Sequence, residues 1–170
     1  IQFLDADDLL ATQKLDIQGP VAAASPDSAA AVYSRWAHLR HESGAWVPGQ
    51  QIAPAIGADA VFDLIRGDNF AHLGSLLLRR TWLARVNGFI ESYRLIEDVD
   101  LLLRLAIAGA AFVPAPAPVP VFFYRRLPAS LSSSSLALFY EGCLRNARLA
   151  RDHWAERAEL TPPRRELLAD

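Results

Sequence analysis

The fold and the chemistry of this chain depend first on the stretch Ile1-Gln2-Phe3-Leu4-Asp5-Ala6-Asp7-Asp8. An apolar run that leads into carboxylates is typical of a buried strand whose carboxyl end opens into a polar site, where ligands bind in open α/β sheets. On an ideal strand Asp5 and Asp7 share a face, with the small Ala6 turned away. Two hard oxygen ligands side by side suit Mg²⁺ or Mn²⁺ held jointly with substrate phosphates. Asp8 is predicted to cap the turn that follows.

A second acidic motif favours this metal interpretation over the alternative, in which the acids simply form turns and helix caps. The motif is Ile96-Glu97-Asp98-Val99-Asp100, and apolar residues follow it at helical spacing as far as Gly109. This pattern puts Glu97 and Asp98 at a helix N-terminus, where the helix dipole alone favours acids. The functional interpretation is that Asp98 points into the site as a general base. The local pattern leaves both interpretations open.

Composition limits the class of protein. The chain has 170 residues, 52% of them hydrophobic and 21% charged, which is typical of one folded globular domain. A net charge of −2 gives no electrostatic footprint for nucleic acid. The single cysteine, Cys143, excludes an internal disulfide and is predicted to pack in the core. No signal peptide pattern is visible, and prolines break the most apolar run, residues 106 to 123, so we expect a cytoplasmic protein without a transmembrane segment.

Local patterns predict the order of the elements. Thr12 is predicted to cap a helix that Gly19-Pro20 interrupts or ends. Further on we expect a strand over residues 30 to 39, a hairpin loop at 41 to 44, a helix over 59 to 66, a strand at 76 to 78, a helix over 81 to 86 ended by Asn87-Gly88, and extended chain over 111 to 124.

Three further features are candidates for ligand or partner contacts. Gly74-Ser75 offers close backbone approach beside a hydroxyl, as a sugar-binding rim needs, or is an ordinary strand entry. Arg125 or Arg126 can pair with a diphosphate, or form a solvated surface pair. An apolar face is predicted on a C-terminal helix, which packs on the domain or serves a membrane surface or dimer; its residues are Leu136, Phe139, Tyr140, Cys143, Ala147, Ala150 and Trp154.

Together these motifs give the chain a family resemblance. It resembles the C-terminal half of the catalytic domain of a family-2 glycosyltransferase of the GT-A fold. The matching stretches, in the family's order, are Phe3 to Asp8 with Gln13-Lys14-Leu15, Gly74 to Arg80, Asn87-Gly88-Phe89, Glu97 to Ala106, and Tyr124-Arg125. They cover most of residues 1 to 131, which we expect to form the C-terminal part of the domain, with a packed amphipathic helix over 132 to 160 and a tail over 161 to 170. The implied fold is a partial GT-A domain of the α/β class, a mixed sheet with flanking helices.

The resemblance implies metal-dependent transfer of a sugar from a nucleotide-diphosphate donor to an acceptor hydroxyl, with inversion. Asp7 and Asp5 match the positions that bind Mn²⁺ or Mg²⁺ and the nucleotide, and Asp98 matches the catalytic base. Glu97, with Gly74, Ser75 and Arg125, falls in substrate-binding positions. The implied acceptor is a glycan, a lipid-linked glycan or a small molecule, as in bacterial polysaccharide or cell-envelope glycan biosynthesis at the inner face of the membrane.

Two departures from the family pattern matter. Leu127 stands where many relatives carry a histidine, so any contact made by that histidine is lost. The family's first strands, which hold the nucleotide base and ribose, are missing, so we expect the isolated 170 residues to be inactive. The competing classes are a non-catalytic carbohydrate-binding module of the same fold and a haloacid-dehalogenase-type phosphohydrolase. The phosphohydrolase pattern requires Thr or Val where this chain has Leu9, and a downstream lysine, whereas no lysine follows Lys14.

Overall fold

The chain folds into two mixed β-sheets with flanking helices, an architecture of the α/β class that the sequence predicts. The computed structural model describes residues 1–68, 70–127 and 135–169. The strands are β1 (Leu9–Leu10), β2 (Ala29–Tyr33), β3 (Trp36–Glu42), β4 (Ala45–Ile52), β5 (Leu76–Leu78), β6 (Ala111–Pro114) and β7 (Phe122–Arg125). The helices are α1 (Lys14–Ala24), α2 (Ala60–Arg66), α3 (Arg80–Arg85), α4 (Glu97–Ile107), α5 (Leu136–Glu156) and α6 (Pro162–Leu167), with a short 3-10 helix at Leu73–Ser75.

Each sheet combines parallel and antiparallel neighbours. The first has the strand order β1-β7-β3-β4 and the second β5-β2-β6. The parallel pairs are β3 with β7 and β2 with β6, and the other neighbours are antiparallel. The predicted single mixed sheet is therefore two sheets, and the chain passes from one to the other between β2 and β3.

That passage also divides the strand predicted over residues 30 to 39. Strand β2 is buried at every position rather than on alternate ones, as expected for a strand covered on both faces. At the break, the buried Ser34 hydroxyl donates a hydrogen bond to the carbonyl of Ala115 (2.8 Å), and the carbonyl of Arg35 accepts one from the Val121 N–H (3.0 Å). These bonds hold the break between the two sheets, so the continuous strand is wrong.

Two predicted local elements are confirmed, the helix over residues 59 to 66 and the hairpin at residues 41 to 44. The helix is α2; the Asp59 side chain accepts a hydrogen bond from the Phe62 N–H (3.1 Å) at its start, and Gly67 ends it in the left-handed region at φ 71°. Strands β3 and β4 form the predicted hairpin, which turns at Ser43 and Gly44. These features follow from local side-chain chemistry, so the sequence suffices to predict them.

Helix α4 occupies the centre of the core. Its Leu101, Leu102 and Leu105 pack with Leu76 and other side chains of the second sheet. On another side of the helix, Leu103 packs with Trp154 of α5. All four α4 leucines have 0% exposure, and burying a leucine contributes roughly 1.5 to 3 kcal/mol. Packing on both sides therefore fixes α4, and with it the acidic residues of its first turn.

The last acid of that motif has a structural role. The Asp100 carboxylate is 2% exposed and accepts a hydrogen bond from Arg104 Nε at 2.8 Å. The Arg104 guanidinium also donates to the carbonyls of Val86 (2.6 Å) and Gly88 (2.8 Å). Asn87 and Gly88 take the predicted left-handed conformation there, at φ 58° and 62°. Arg104 thus holds α4 to the end of α3, and Asp100 fixes the position of its guanidinium.

The two C-terminal helices differ from their predictions. The buried residues of α5 are Gly142, Asn146, Ala150 and Trp154, whereas Cys143 is exposed. The predicted core position of Cys143 is therefore wrong, because the buried stripe consists of every fourth residue from Gly142 to Trp154 and Cys143 lies beside it. The predicted tail contains helix α6, whose Arg164 pairs with Asp59 at 2.6 Å.

None of the helices in the described part of the chain has the length and apolar character that crossing a bilayer requires.

Helix α1 carries a buried polar network. It runs through Gly19 and Pro20, and its N-cap is Gln13 without a side-chain bond, so the predicted break and the Thr12 cap are both wrong. Lys14, 1% exposed, donates to Gln18 Oε1 at 2.5 Å. No carboxylate in the described ranges forms an ion pair with this ammonium group.

The buried lysine makes stability depend on pH. Burial lowers the pKa of Lys14 from 10.5 to about 7, so between these values the unfolded chain binds a proton that the folded chain does not. We therefore expect the free energy of unfolding to rise from pH 7 to pH 10.5, by up to about 5 kcal/mol at about 1.4 kcal/mol per pH unit. Lys14→Met is expected to remove this rise, as measured by denaturant titration at several pH values.

The matched control is Leu15→Met, because Leu15 neighbours Lys14 but is 57% exposed. This variant is expected to keep the rise. Equal pH slopes for Lys14→Met and the parent protein would contradict the assignment.

Candidate functional site

One groove brings the two acidic motifs together. It has a volume of about 620 Å³, and its walls include Asp5, Asp7, Glu97 and Asp98. A second groove of about 320 Å³ lies between α1 and the β5-β2-β6 sheet, and among its lining residues only Ser25 and Arg79 have polar side chains. The first groove is the candidate because it brings together the titratable groups of both acidic motifs, and a site that performs chemistry needs converging titratable groups. We call it the carboxylate groove.

Asp5 and Asp7 lie in a turn rather than at the end of a strand. The turn is closed by a hydrogen bond from the Asp8 N–H to the Asp5 carbonyl at 3.1 Å. Residues 1–4 form no strand: Ile1 pairs with Leu78 of β5 through its backbone N and O, and Leu4 is 48% exposed. The predicted buried strand is wrong because this segment makes a single pair at the sheet edge, yet the turn still directs both carboxylates to the groove.

Asp8 and Arg125 fasten this turn to strand β7. Asp8 is 4% exposed and accepts a hydrogen bond from the Arg125 N–H at 2.8 Å, so it links two strands rather than capping the next turn as predicted. The Arg125 Nε donates to the Asp7 carbonyl, and its guanidinium lies over the Trp46 ring at 5.6 Å. The Arg125 side chain is thus engaged with the turn rather than among the groove residues, although it lies next to Asp7.

Asp98 reaches the groove from the first turn of α4. Its Oδ1 accepts a hydrogen bond from the Val99 N–H at 2.8 Å. Burial is the main cause that raises the pKa of Asp98 to about 6; the Val99 bond opposes it, and the charges of Glu97 and Asp5 add to it. The contribution of Asp5 means that the two motifs interact across the groove. Asp98 is therefore ionised at pH 7 and more basic than an ordinary aspartate.

An aromatic wall completes the groove, and the sequence did not identify it as part of the site. Phe3 and Phe89 pack edge to face, with ring centroids 5.2 Å apart. His72 stacks on Phe122 at 4.6 Å and lies 5.0 Å from Tyr124. The rings suit the C–H faces of a ligand whose hydroxyl groups bind the carboxylates. The sequence carried one indication of this wall, because Tyr124 belongs to the Tyr124-Arg125 stretch of the family resemblance.

His72 is a neutral hydrogen-bonding group in this wall. Burial lowers its pKa to about 4, with a further contribution from the charge of His38. Its Nδ1 accepts a hydrogen bond from the Gly74 N–H at 3.3 Å. In a neutral imidazole the other nitrogen then carries the proton, so Nε2 is a donor.

The predicted sugar-binding rim at Gly74 and Ser75 is not in the groove. Ser75 is 0% exposed, and its hydroxyl donates to the His72 carbonyl at 2.7 Å. A Cβ on Gly74 would lie 2.2 Å from the Phe122 ring. Both residues lie behind the groove, where they fix the position of His72, and the close approach that Gly74 allows is to Phe122.

The charge balance of the groove favours a cation. Among the described residues, four carboxylates line it, and the one arginine that does so is Arg94. In the described part of the chain, no cluster of three or more His, Cys, Asp or Glu residues can by itself hold a metal ion. Burial and the charge of Asp7 raise the pKa of Asp5. Two neighbouring carboxylates without further protein ligands fit Mg²⁺ or Mn²⁺ completed by phosphate and water.

Comparison of the chain with protein-family models, with curated proteins and with solved structures finds no match. The functional assignment therefore depends on the chemistry of the carboxylate groove and on the order of the sequence motifs.

Proposed function

We propose that this chain forms the acceptor and metal side of a glycosyltransferase site of the GT-A type. The observation that carries the proposal is the meeting of Asp5 and Asp7 with Asp98 in one groove. These are the residues that the family resemblance assigns to the metal and to the base, and they come from segments about ninety residues apart. Metal-bound transfer of a glycosyl group needs a cation site and a base on opposite sides of one substrate.

Asp98 takes the part of the base. An acceptor hydroxyl hydrogen-bonded to its free oxygen would lose its proton to the carboxylate as the oxygen attacks the anomeric carbon. At pH 7 Asp98 is ionised, and its raised pKa makes it a stronger proton acceptor than an exposed aspartate. Glu97 lies beside it to bind a second acceptor hydroxyl, and Phe89 gives the acceptor ring an apolar surface.

Asp5 and Asp7 take the part of the metal ligands. A bound divalent ion would neutralise the charge that builds on the leaving diphosphate. The groove otherwise repels a diphosphate because it contains four carboxylates and one arginine. The neutral His72 can donate its Nε2 proton to an oxygen of the donor without adding charge.

The proposal is tested by a transfer assay on the protein at its full native length. A panel of nucleotide-diphosphate sugars is incubated with Mn²⁺ or Mg²⁺ and simple acceptors, and released nucleoside diphosphate is measured. We expect release that requires the metal and stops with EDTA. If the protein binds the donor but releases no nucleoside diphosphate with any of the acceptors, a carbohydrate-binding module is favoured instead.

A phosphate-release assay separates the remaining class. A phosphohydrolase would release inorganic phosphate from phosphomonoesters through an aspartyl intermediate on Asp5. A glycosyltransferase would release none, so phosphate release that depends on Asp5 would overturn the proposal.

A further inference from the structure

Helix α5 contacts the segment that leads into the proposed base. Gly142 and Arg145 of α5 lie against residues 93–96, which immediately precede Glu97 and Asp98. The contact is separate from the packing of Trp154, which joins the other half of α5 to α2 and α4. The half of α5 that contains Gly142 and Arg145 therefore makes a separate contact, with residues 93–96.

The contacted segment ends in a strained residue. Ile96, the N-cap of α4, has φ 62° and ψ 21°, in the left-handed region. A β-branched residue rarely adopts this conformation, which persists only where the surrounding structure holds it. Its carbonyl accepts the first α4 bond, from the Asp100 N–H at 3.1 Å. The direction in which α4 presents Glu97 and Asp98 thus depends on Ile96 keeping this conformation.

Gly142 lets α5 approach Ile96 closely. A Cβ at this position would lie 2.8 Å from the Ile96 Cβ and 3.1 Å from the Leu95 carbonyl oxygen. Gly142 is absent from the residues with positive φ, so its backbone does not require glycine. The space against Ile96 does, in the middle of a helix where glycine is otherwise unfavourable.

Arg145 holds the same segment from one helical turn further along. Its guanidinium lies 3.4 Å from the centroid of the Tyr93 ring, and it donates a hydrogen bond to the Leu95 carbonyl at 3.3 Å. A planar guanidinium can stack and donate at once, which an ammonium group cannot do. Arg145 thus contacts the segment on both sides of Arg94, a residue of the groove wall.

We propose that Gly142 and Arg145 are positioning residues that hold residues 93–96 in the strained conformation and thereby aim Asp98 and Glu97 into the carboxylate groove. The inference rests on the proposed function, since it assigns to α5 the alignment of the same base. Neither residue is among those that line the groove, so both act through the segment they contact.

The test compares two helical glycines in the full-length protein. In Gly142→Ala the new methyl group pushes against Ile96, and we expect kcat to fall by about 10-fold to 100-fold. Gly19→Ala is the matched control, because a Cβ at Gly19 in α1 meets no atom within 4 Å; its kcat is expected to equal that of the parent. Metal-dependent donor binding, measured by calorimetry, should be unchanged in both variants.

Arg145 supplies a second variant in case Gly142→Ala fails to fold. Arg145→Met is expected to lower kcat at unchanged donor affinity, and Arg145→Lys, which keeps the charge over Tyr93, should recover part of the loss. Equal kcat for Arg145→Met and the parent would overturn the proposal. So would a Gly142→Ala protein that loses thermal stability while its kcat remains unchanged.

A readout without turnover separates this inference from the proposed function. Carboxyl-carbon NMR titration of Asp98 reports its surroundings whether or not the protein transfers sugar. We expect the titration midpoint of Asp98 to move in Gly142→Ala and to remain in Gly19→Ala. If the midpoint moves in Gly142→Ala but the parent protein shows no transferase activity, the positioning role stands and the missing activity refutes the proposed function. An unmoved midpoint in Gly142→Ala would refute the positioning role.

Discussion

Replacing Asp98 by asparagine is expected to lower kcat for glycosyl transfer by about 10² to 10⁴-fold, the usual contribution of a general base. Asparagine keeps the shape of the side chain, and its carbonyl oxygen can still accept the Val99 N–H bond. The asparagine amide cannot take the proton of the acceptor hydroxyl at neutral pH. Because the proposed function assigns Asp98 to the acceptor, we expect the affinity for the nucleotide-sugar donor to remain unchanged.

The pH profile gives an independent check on this assignment. With the pKa of Asp98 raised to about 6, kcat of the parent protein should fall as pH drops through that value, because the base becomes protonated. Asp98→Asn should lose this acidic limb from its residual rate. The control is Asp16→Asn, which removes an exposed carboxylate from α1 outside the groove. A kcat within threefold of the parent for Asp98→Asn would exclude Asp98 as the base.

Asp7→Asn is expected to weaken Mn²⁺ binding and metal-supported turnover on the order of 10²-fold or more. A divalent ion stabilises the developing charge by several kcal/mol, and each 1.4 kcal/mol is about tenfold. The variant retains the Asp7 carbonyl that accepts the Arg125 bond, so the turn should keep its structure. The measurement is calorimetric titration with Mn²⁺, in the presence and absence of nucleoside diphosphate, beside the transfer assay.

The control for the metal site is Asp68→Asn. Asp68 pairs with Arg66 at 3.0 Å on the surface, with its side chain 67% exposed, and such pairs contribute little. The Asp68→Asn protein should bind Mn²⁺ and turn over substrate like the parent protein. Unchanged Mn²⁺ affinity in Asp7→Asn would remove Asp7 from the metal site, and turnover that persists in EDTA would remove the metal from the mechanism.

The two acidic motifs were predictable because their chemistry is local. A run of aspartates and an acidic helix start are visible in the order of residues, and both motifs line the groove. The helix that carries Asp98 follows from apolar spacing and from Gly109, which has φ 85°. The hairpin turn and the left-handed Asn87-Gly88 followed in the same way, since each depends on a few neighbouring side chains, whereas the caps predicted at Asp8 and Thr12 are wrong.

The aromatic wall and the contact of α5 with Ile96 were not predictable in this way. His72 and Tyr124 are fifty-two positions apart and meet because β7 packs beside the short helix at Leu73–Ser75, where Gly74 admits the Phe122 ring. Gly142 has no local signal of its role, because a glycine in a helix gives no indication of which residue it approaches. The wrong placement of Cys143 has the same origin.

By itself the sequence determined helices α2, α3 and α4, the hairpin of β3 and β4, and which carboxylates are available for chemistry, because these depend on side chains within a few positions of one another. The tertiary structure alone decided that Asp5 and Asp7 reach the groove from a turn, that Asp98 faces them, and which stripe of α5 is buried. These outcomes depend on contacts between residues far apart in the chain, whose free energy exists only once the sheets and α4 have packed together.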